Sequence, residues 1–125
     1  MSYILWIDDL RDPNNHHYAR KVQSYAHRNN LPVVWVKTSQ EAIQCVQEYG
    51  LPVLMSLDHD LGVLDNGADD TTMYFLKWLA YDWYMTACLP EDLRRPFPIW
   101  MIHSDNGPGR LNMDSFLTSL KKSME

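Results

Sequence analysis

Four short, almost wholly apolar runs recur along this chain and constrain its fold more than any other feature. They occupy residues 3–7, 33–36, 53–57 and 99–102. Runs of this length are typical of strands that are buried on both faces of a parallel sheet. The segments between them are long enough for the helical crossovers that parallel strands need. The sequence therefore predicts an α/β fold.

The segments that follow these runs carry helical signals. Residues 16–29 place apolar side chains at helical spacing, and an Asn-Asn pair with a nearby proline ends this first helix. Thr38 and Glu41 form a capping box at the start of a second helix, which Gly50 closes. A third helix is expected over residues 71–87, and a fourth follows the last apolar run.

The resulting order, βαβαβαβα, predicts a parallel four-stranded sheet with right-handed crossovers and helices on both faces, a three-layer α/β/α sandwich. We expect the strand order 2-1-3-4. Open sheets of this kind bind ligands at their carboxyl edge, where the strand order reverses, here between the first and third strands. We therefore expect Asp8, Asp9 and Asp58 to meet in one crevice, with His103 entering from the adjacent strand.

Acidic side chains follow two of the apolar runs directly: Asp8 and Asp9 follow the first, and Asp58 and Asp60 follow the third. Converging carboxylates repel one another unless a cation or a proton neutralises them. Oxygen ligands suit Mg²⁺ or Mn²⁺, whereas recruitment of a histidine would favour Mn²⁺, Zn²⁺ or iron. We predict a divalent metal site formed by these four aspartates. The alternative is that Asp9 or Asp60 only caps a neighbouring helix or turn.

Two histidines, His59 and His103, lie at the ends of the third and fourth runs. Imidazole changes its charge near neutral pH, so both are candidate general acids or bases, with Asp58 as a third catalytic candidate. The alternative for each histidine is a hydrogen-bonded core residue.

Residues 104–110, Ser-Asp-Asn-Gly-Pro-Gly-Arg, connect the fourth run to a helix. Free amides, the helix dipole and a guanidinium together form a general device for binding anions. The candidate phosphate-binding residues are Ser104, Asn106, Gly107, Gly109 and Arg110, with Arg11 across the crevice. An ordinary glycine turn is the alternative. Together with a metal and an imidazole, this segment predicts an enzyme that acts on a phosphoester.

Two other segments concern substrate and partners. Residues 62–70 are rich in Gly, Asn and Asp and are expected to form a loop at the ligand edge, where substrate selection would occur. The helix over residues 71–87 carries more aromatic side chains than one core-facing stripe requires. A wide buried face is one explanation, and a partner surface that forms a homodimer is the other.

Composition narrows the class of protein. With 125 residues, 46% of them hydrophobic, the chain fits a single domain over residues 1–125. A formal charge of -5 argues against binding extended duplex nucleic acid through a basic face, but it leaves a nucleotide or an RNA end open as substrate. Cys45 and Cys88 lack CxxC spacing and are expected to be reduced. No run is long enough to span a membrane, and no signal sequence precedes the first strand, so we expect a soluble, cytoplasmic protein.

Three blocks carry a resemblance to a known family: LWIDDLR at residues 5–11, SLDHDLG at residues 56–62 and HSDNGPGRLNM at residues 103–113. They resemble the cyclic-phosphate processing receiver domains, a divergent branch of the response-regulator receivers. The resemblance spans almost the whole chain. It implies a flavodoxin-like, receiver-like fold and the processing of a cyclic phosphate on an RNA end or a nucleotide. The first hypothesis is therefore a metal-dependent cyclic phosphate hydrolase.

The chain departs from ordinary phosphorelay receivers in two respects. Those receivers have a fifth strand bearing a lysine and a fifth helix, which are lacking here after the fourth strand and its helix. His59 and Asp60 also replace the apolar residues usual after the aspartate. A signalling domain phosphorylated at Asp58 is accordingly the second hypothesis. The third is a non-catalytic module that sequesters a nucleotide or a protein partner.

Overall fold

Alternating strands and helices build the protein, as a computed structural model that describes residues 1–15, 17–86 and 88–123 shows. The elements are β1 (Ile4–Ile7), α1 (Arg20–Asn29), β2 (Val33–Val36), α2 (Ser39–Tyr49), β3 (Leu54–Leu57), β4 (Asp60–Val63), β5 (Asp69–Thr71), α3 (Thr72–Thr86), β6 (Ile99–Ile102) and α4 (Gly107–Ser123). A 3₁₀ turn, His17–Ala19, precedes α1. The predicted helix ends at His16 and Ala87 lie outside the described residues.

The main sheet is parallel and has the order β2-β1-β3-β6, which confirms the predicted order because β6 is its fourth strand along the chain. Its strands end level, since Ile7 pairs with both Val36 and Leu57, and Leu57 pairs with Ile102. The ladder continues one residue further, with the Asp58 amide donating to the Ile7 carbonyl and the His103 amide to the Leu57 carbonyl. This register brings the residue after each strand to the same edge.

Helices cover both faces of this sheet. On one face α2, α3 and α4 pack on Leu5, Ile7, Met55 and Leu57, while α1 packs on the other face against Ile4, Trp6 and Leu54. Successive residues of β1 and β3 point to opposite faces, and both strands are apolar except at Ser56, whose hydroxyl contacts His103. The flavodoxin-like, three-layer arrangement predicted from the sequence is confirmed.

The segment predicted as a loop over residues 62–70 is a loop over residues 64–68, but its ends belong to an antiparallel hairpin of β4 and β5. The two strands were missed because they are largely exposed and lack apolar alternation, although the Asn66-Gly67 turn is a hairpin signal. Buried Asp70 fixes the hairpin to α2, because its carboxylate accepts hydrogen bonds from the Ser39 amide at 3.0 Å and the Ser39 hydroxyl at 2.5 Å.

The aromatic residues of α3 divide between the core and the surface. Phe75 is fully buried, whereas Tyr74, Tyr81 and Tyr84 are exposed. Dimerisation through this helix stays a prediction. Across the described residues, none of the helices combines the length and the apolar character that crossing a membrane requires.

Candidate functional site

A cavity of about 370 Å³ lies at the carboxyl edge of the sheet, beside the hairpin; we call it the acidic cavity. Four aspartates after β1 and β3 line it together with residues of the segment after β6. The lining includes Asp8, Asp9, Arg11, Asp58, Asp60, Gly62, Ser104, Asp105 and Asn106. The predicted crevice therefore exists, and it contains the acidic residues that were expected there.

Three of the aspartates, Asp8, Asp9 and Asp58, have carboxylate oxygens within 4.8 Å of one another. Asp8 and Asp58 are buried and Asp9 is half-buried. A set of hard oxygen ligands at this spacing fits a divalent cation such as Mg²⁺ or Mn²⁺. Asp60, the fourth predicted ligand, is exposed at the rim and lies outside this cluster of three.

The carboxylate of Asp8 is held by several donors. Its Oδ1 accepts the amides of Leu10 and Arg11, each at 2.9 Å, and its Oδ2 accepts the His103 ring at 2.9 Å. Burial raises the pKa of Asp8, but the hydrogen bonds from His103 and the two amides outweigh it and lower the pKa to about 2. Asp8 is therefore ionised at neutral pH.

The other two carboxylates of the cluster are less well compensated. Burial raises the pKa of Asp58, and the nearby charge of Asp8 raises it further. Burial is also the main cause of the raised pKa of Asp9, to which Asp8 and Asp60 contribute. Uncompensated like charges destabilise the folded protein, and a bound cation would relieve this repulsion.

Arg11 provides a positive charge at the cluster in this structure. Its guanidinium lies 3.3 Å from Asp8 Oδ2 and 3.6 Å from Asp58 Oδ1, and it donates to Asp105 Oδ2 at 2.5 Å. Arg11 thus lies where its guanidinium can contact both the Asp8 and Asp58 carboxylates and an anionic ligand in the cavity.

Two tryptophans fix the backbone that carries these groups. The Trp6 indole donates to the Arg11 carbonyl at 2.9 Å, and the Trp35 indole donates to the Asp8 carbonyl at 2.7 Å. Sequence reasoning did not assign either a role at the site. The available signal was that a buried indole N–H needs an acceptor, and these strands end beside a loop.

His103 lies behind the acidic cluster and is buried. Its Nδ1 lies 2.8 Å from Ser56 Oγ, its Nε2 lies 2.9 Å from Asp8 Oδ2, and its ring stacks on Trp6 at 3.9 Å. Because ionised Asp8 only accepts, the His103 Nε2 carries a proton and donates a hydrogen bond to Asp8. Both ring nitrogens are therefore engaged within the protein.

His59 is held between Asp60 of β4 and Gly109 of α4. Its Nδ1 lies 2.9 Å from Asp60 Oδ1, and its ring packs so closely on Gly109 that a Cβ there would lie 2.6 Å from the His59 Cγ. Among the described residues that line the acidic cavity, neither His59 nor His103 is found. Each histidine thus contacts an aspartate that lines the acidic cavity, but neither lines the cavity itself.

The segment after β6 provides only part of the predicted phosphate cradle. Ser104 and Asn106 line the acidic cavity, but Asn106 Oδ1 already caps the Gly109 amide at 2.9 Å. Gly107 begins α4 in open space, and Gly109 packs on His59. The Arg110 guanidinium turns away and donates to the Ile102 and Ser104 carbonyls, each at 3.2 Å.

Comparison with protein families identifies the family of this chain. A family model described as cyclic-phosphate processing receiver domain matches residues 3–119. The chain belongs to this family. Comparison with curated proteins and with solved structures found no match. Receiver domains bind a divalent metal through acidic residues, and this receiver domain has such an acidic cluster in Asp8, Asp9 and Asp58.

Proposed function

We propose that this receiver domain is a metal-dependent hydrolase that opens a cyclic phosphate on an RNA end or a nucleotide. The observation that carries the proposal is that three carboxylates fit for a cation share one cavity with Arg11, Ser104 and Asn106, which suit a phosphate. Membership of a family described as processing cyclic phosphates supports the choice of substrate.

Asp8, Asp9 and Asp58 would hold the metal, with Mg²⁺ or Mn²⁺ preferred because the donors are oxygens, and Zn²⁺ as the alternative. A metal bound there would polarise the phosphoryl oxygen and the attacking water. His103 acts as a positioning residue, because its Nε2 proton keeps Asp8 ionised and oriented. Arg11, Ser104 and Asn106 orient the phosphate.

The reaction adds one water across a phosphorus–oxygen bond. The water oxygen bonds to phosphorus, the bond to one ring oxygen breaks, and that oxygen takes a proton to give a phosphomonoester. We assign acceptance of the water proton to the Asp58 carboxylate, because it lines the cavity beside Asp8 and Asp9. We assign protonation of the leaving oxygen to a water molecule in the cavity that the Asp60 carboxylate, itself held at 2.9 Å from His59 Nδ1, would orient.

The test is to incubate the purified protein with a panel of cyclic and linear phosphoesters in Mg²⁺, Mn²⁺ or Zn²⁺ and to separate the products by chromatography. We expect ring opening that a chelator abolishes and that Asp58→Asn reduces by about 100-fold or more. Asp65→Asn is the matched control, because Asp65 is an exposed acid of the hairpin turn.

Other outcomes would favour the other two hypotheses. Transfer of phosphate from a small phosphodonor to Asp58, without hydrolysis of any ester, would indicate a signalling receiver. Stoichiometric binding of a cyclic nucleotide that is released unchanged after denaturation would indicate a sequestering module.

A further inference from the structure

A second cavity, of about 450 Å³, lies beside the acidic cavity on the α1 side. We call it the basic cavity, because Arg20, Lys21 and Arg110 line it. Ser104 and Asp105 line both cavities and so form the wall between them. A ligand bound in the acidic cavity can therefore extend past Ser104 and Asp105 into the basic cavity.

The charge of the basic cavity contrasts with the chain as a whole, which carries a formal charge of -5. Asp105 is the acidic residue among its described lining, and that carboxylate is already paired with Arg11 at 2.5 Å. Within the described residues, no ion pair or side-chain hydrogen bond involves Arg20 or Lys21. Their charges are therefore available to an anion.

The beginning of α1 shows a local electrostatic conflict. Its first two residues are Arg20 and Lys21, its first turn has no acidic residue, and Ala19 provides no side-chain cap. Cations at this end of a helix are unfavourable, because the helix dipole is positive there. Conflicts of this kind are expected at functional sites, where a ligand compensates for them. An anion in the basic cavity would do so.

Arg110 reaches the same cavity from α4 and is held in place. Its Nη1 donates to the Ile102 and Ser104 carbonyls, and a guanidinium has five N–H donors in all. The two carbonyl contacts fix the plane of the group. Cations on two different helices, α1 and α4, thus face one cavity that adjoins the acidic one.

We propose that the basic cavity binds a second phosphate of the substrate whose cyclic phosphate lies in the acidic cavity. The proposal rests on the proposed function and specifies its substrate class. The preferred substrate carries a phosphate beyond the cyclic one, as the 3′ end of an oligoribonucleotide or a nucleotide with a further phosphate does. A nucleoside cyclic phosphate without that second group leaves the basic cavity empty.

The experiment compares three substrates with the same base: a nucleoside 2′,3′-cyclic phosphate, the same molecule with a 5′-phosphate, and a dinucleotide ending in the same cyclic phosphate. We expect kcat/KM for the two larger substrates to be about tenfold or more higher, roughly the value of one charge-assisted hydrogen bond. Equal gains would indicate that any second phosphate suffices, and a gain for the dinucleotide alone would indicate an RNA end.

The variants Arg20→Gln and Lys21→Gln remove this preference, so that the ratio of the kcat/KM values falls toward one. Arg28→Gln is the matched control, because Arg28 lies in the last turn of the same helix and keeps the ratio. The dissociation constants of the corresponding linear nucleoside and dinucleotide 3′-phosphates, measured by calorimetry, give a readout that needs no turnover.

The outcomes separate this proposal from the one on which it rests. Equal turnover and equal binding of all three substrates would overturn the second phosphate site and leave the hydrolase intact. A preference that survives in Arg20→Gln and Lys21→Gln would overturn its assignment to the basic cavity. No turnover and no binding of any substrate would overturn both.

Discussion

Asp58 is a residue whose charge opposes folding. Its pKa is raised by burial and by the charge of Asp8, so the ionised form is penalised in the folded state at neutral pH. We expect Asp58→Asn to raise the free energy of unfolding by about 1 kcal/mol at pH 7 in a chelator. Urea unfolding measures this, with Asp65→Asn as the control. A destabilised Asp58→Asn would contradict this and show that Arg11, His103 and the His59 amide together compensate the charge.

The contact between His103 and Asp8 has the opposite effect on stability. The folded pKa of Asp8, about 2, lies below its ordinary value of 3.8, so its contribution is present above the ordinary value and is lost as pH falls toward 2. In His103→Gln the pKa of Asp8 rises, and we expect a shallower loss of stability between pH 4 and pH 2.

Unfolding midpoints in urea, measured across this pH range, test the prediction. His27→Gln is the control, because His27 is exposed on α1. If His103→Gln and the unaltered protein lose stability in parallel, His103 is not what holds the pKa of Asp8 down.

The packing of the first turn of α4 requires a glycine at position 109 but not at position 107. A Cβ at Gly109 would lie 2.6 Å from His59 Cγ, whereas nothing lies within 4 Å of one at Gly107. We expect Gly109→Ala to lower the free energy of unfolding by roughly 1–3 kcal/mol and to reduce turnover by displacing His59. Gly107→Ala is the matched control and should change neither. Equal behaviour of the two variants would mean that His59 moves freely.

At the level of elements, the sequence was most informative about the main sheet. Wholly apolar runs such as Ile4–Ile7 identify strands buried on both faces, and their parallel order follows from the helices between them. The acidic cluster was predictable for the same reason, because Asp8 and Asp58 directly follow strands that end level. The β4–β5 hairpin was not, since its exposed strands show no apolar period.

The directions in which side chains point could not be predicted from the sequence either. That His103 faces Ser56 and Asp8 within the protein depends on the stacking of its ring on Trp6, which no spacing reveals. Similarly, Arg110 follows the glycine turn in the chain, yet its guanidinium contacts the Ile102 and Ser104 carbonyls outside the acidic cavity. Residue types at a strand end predict a site, but not which of them reach its ligand.

At the scale of the whole molecule, the fold gathers charge of both signs at one edge of the sheet. The acidic cavity lies at the point where the strand order reverses, and the basic cavity adjoins it beyond Ser104 and Asp105. A cation in the acidic cavity would offset the charges of Asp9 and Asp58, and a phosphate in the basic cavity would offset those of Arg20 and Lys21. We therefore expect ligands to stabilise the folded protein by an amount that rises with the logarithm of their affinity.

Calorimetric titration of the metal-free protein with Mn²⁺ tests most directly that Asp8, Asp9 and Asp58 form one cation site. We predict saturable binding of one Mn²⁺ per chain that Asp58→Asn abolishes and Asp65→Asn leaves unchanged. Absence of binding, or equal binding to the protein with and without Asp58→Asn, would contradict the account.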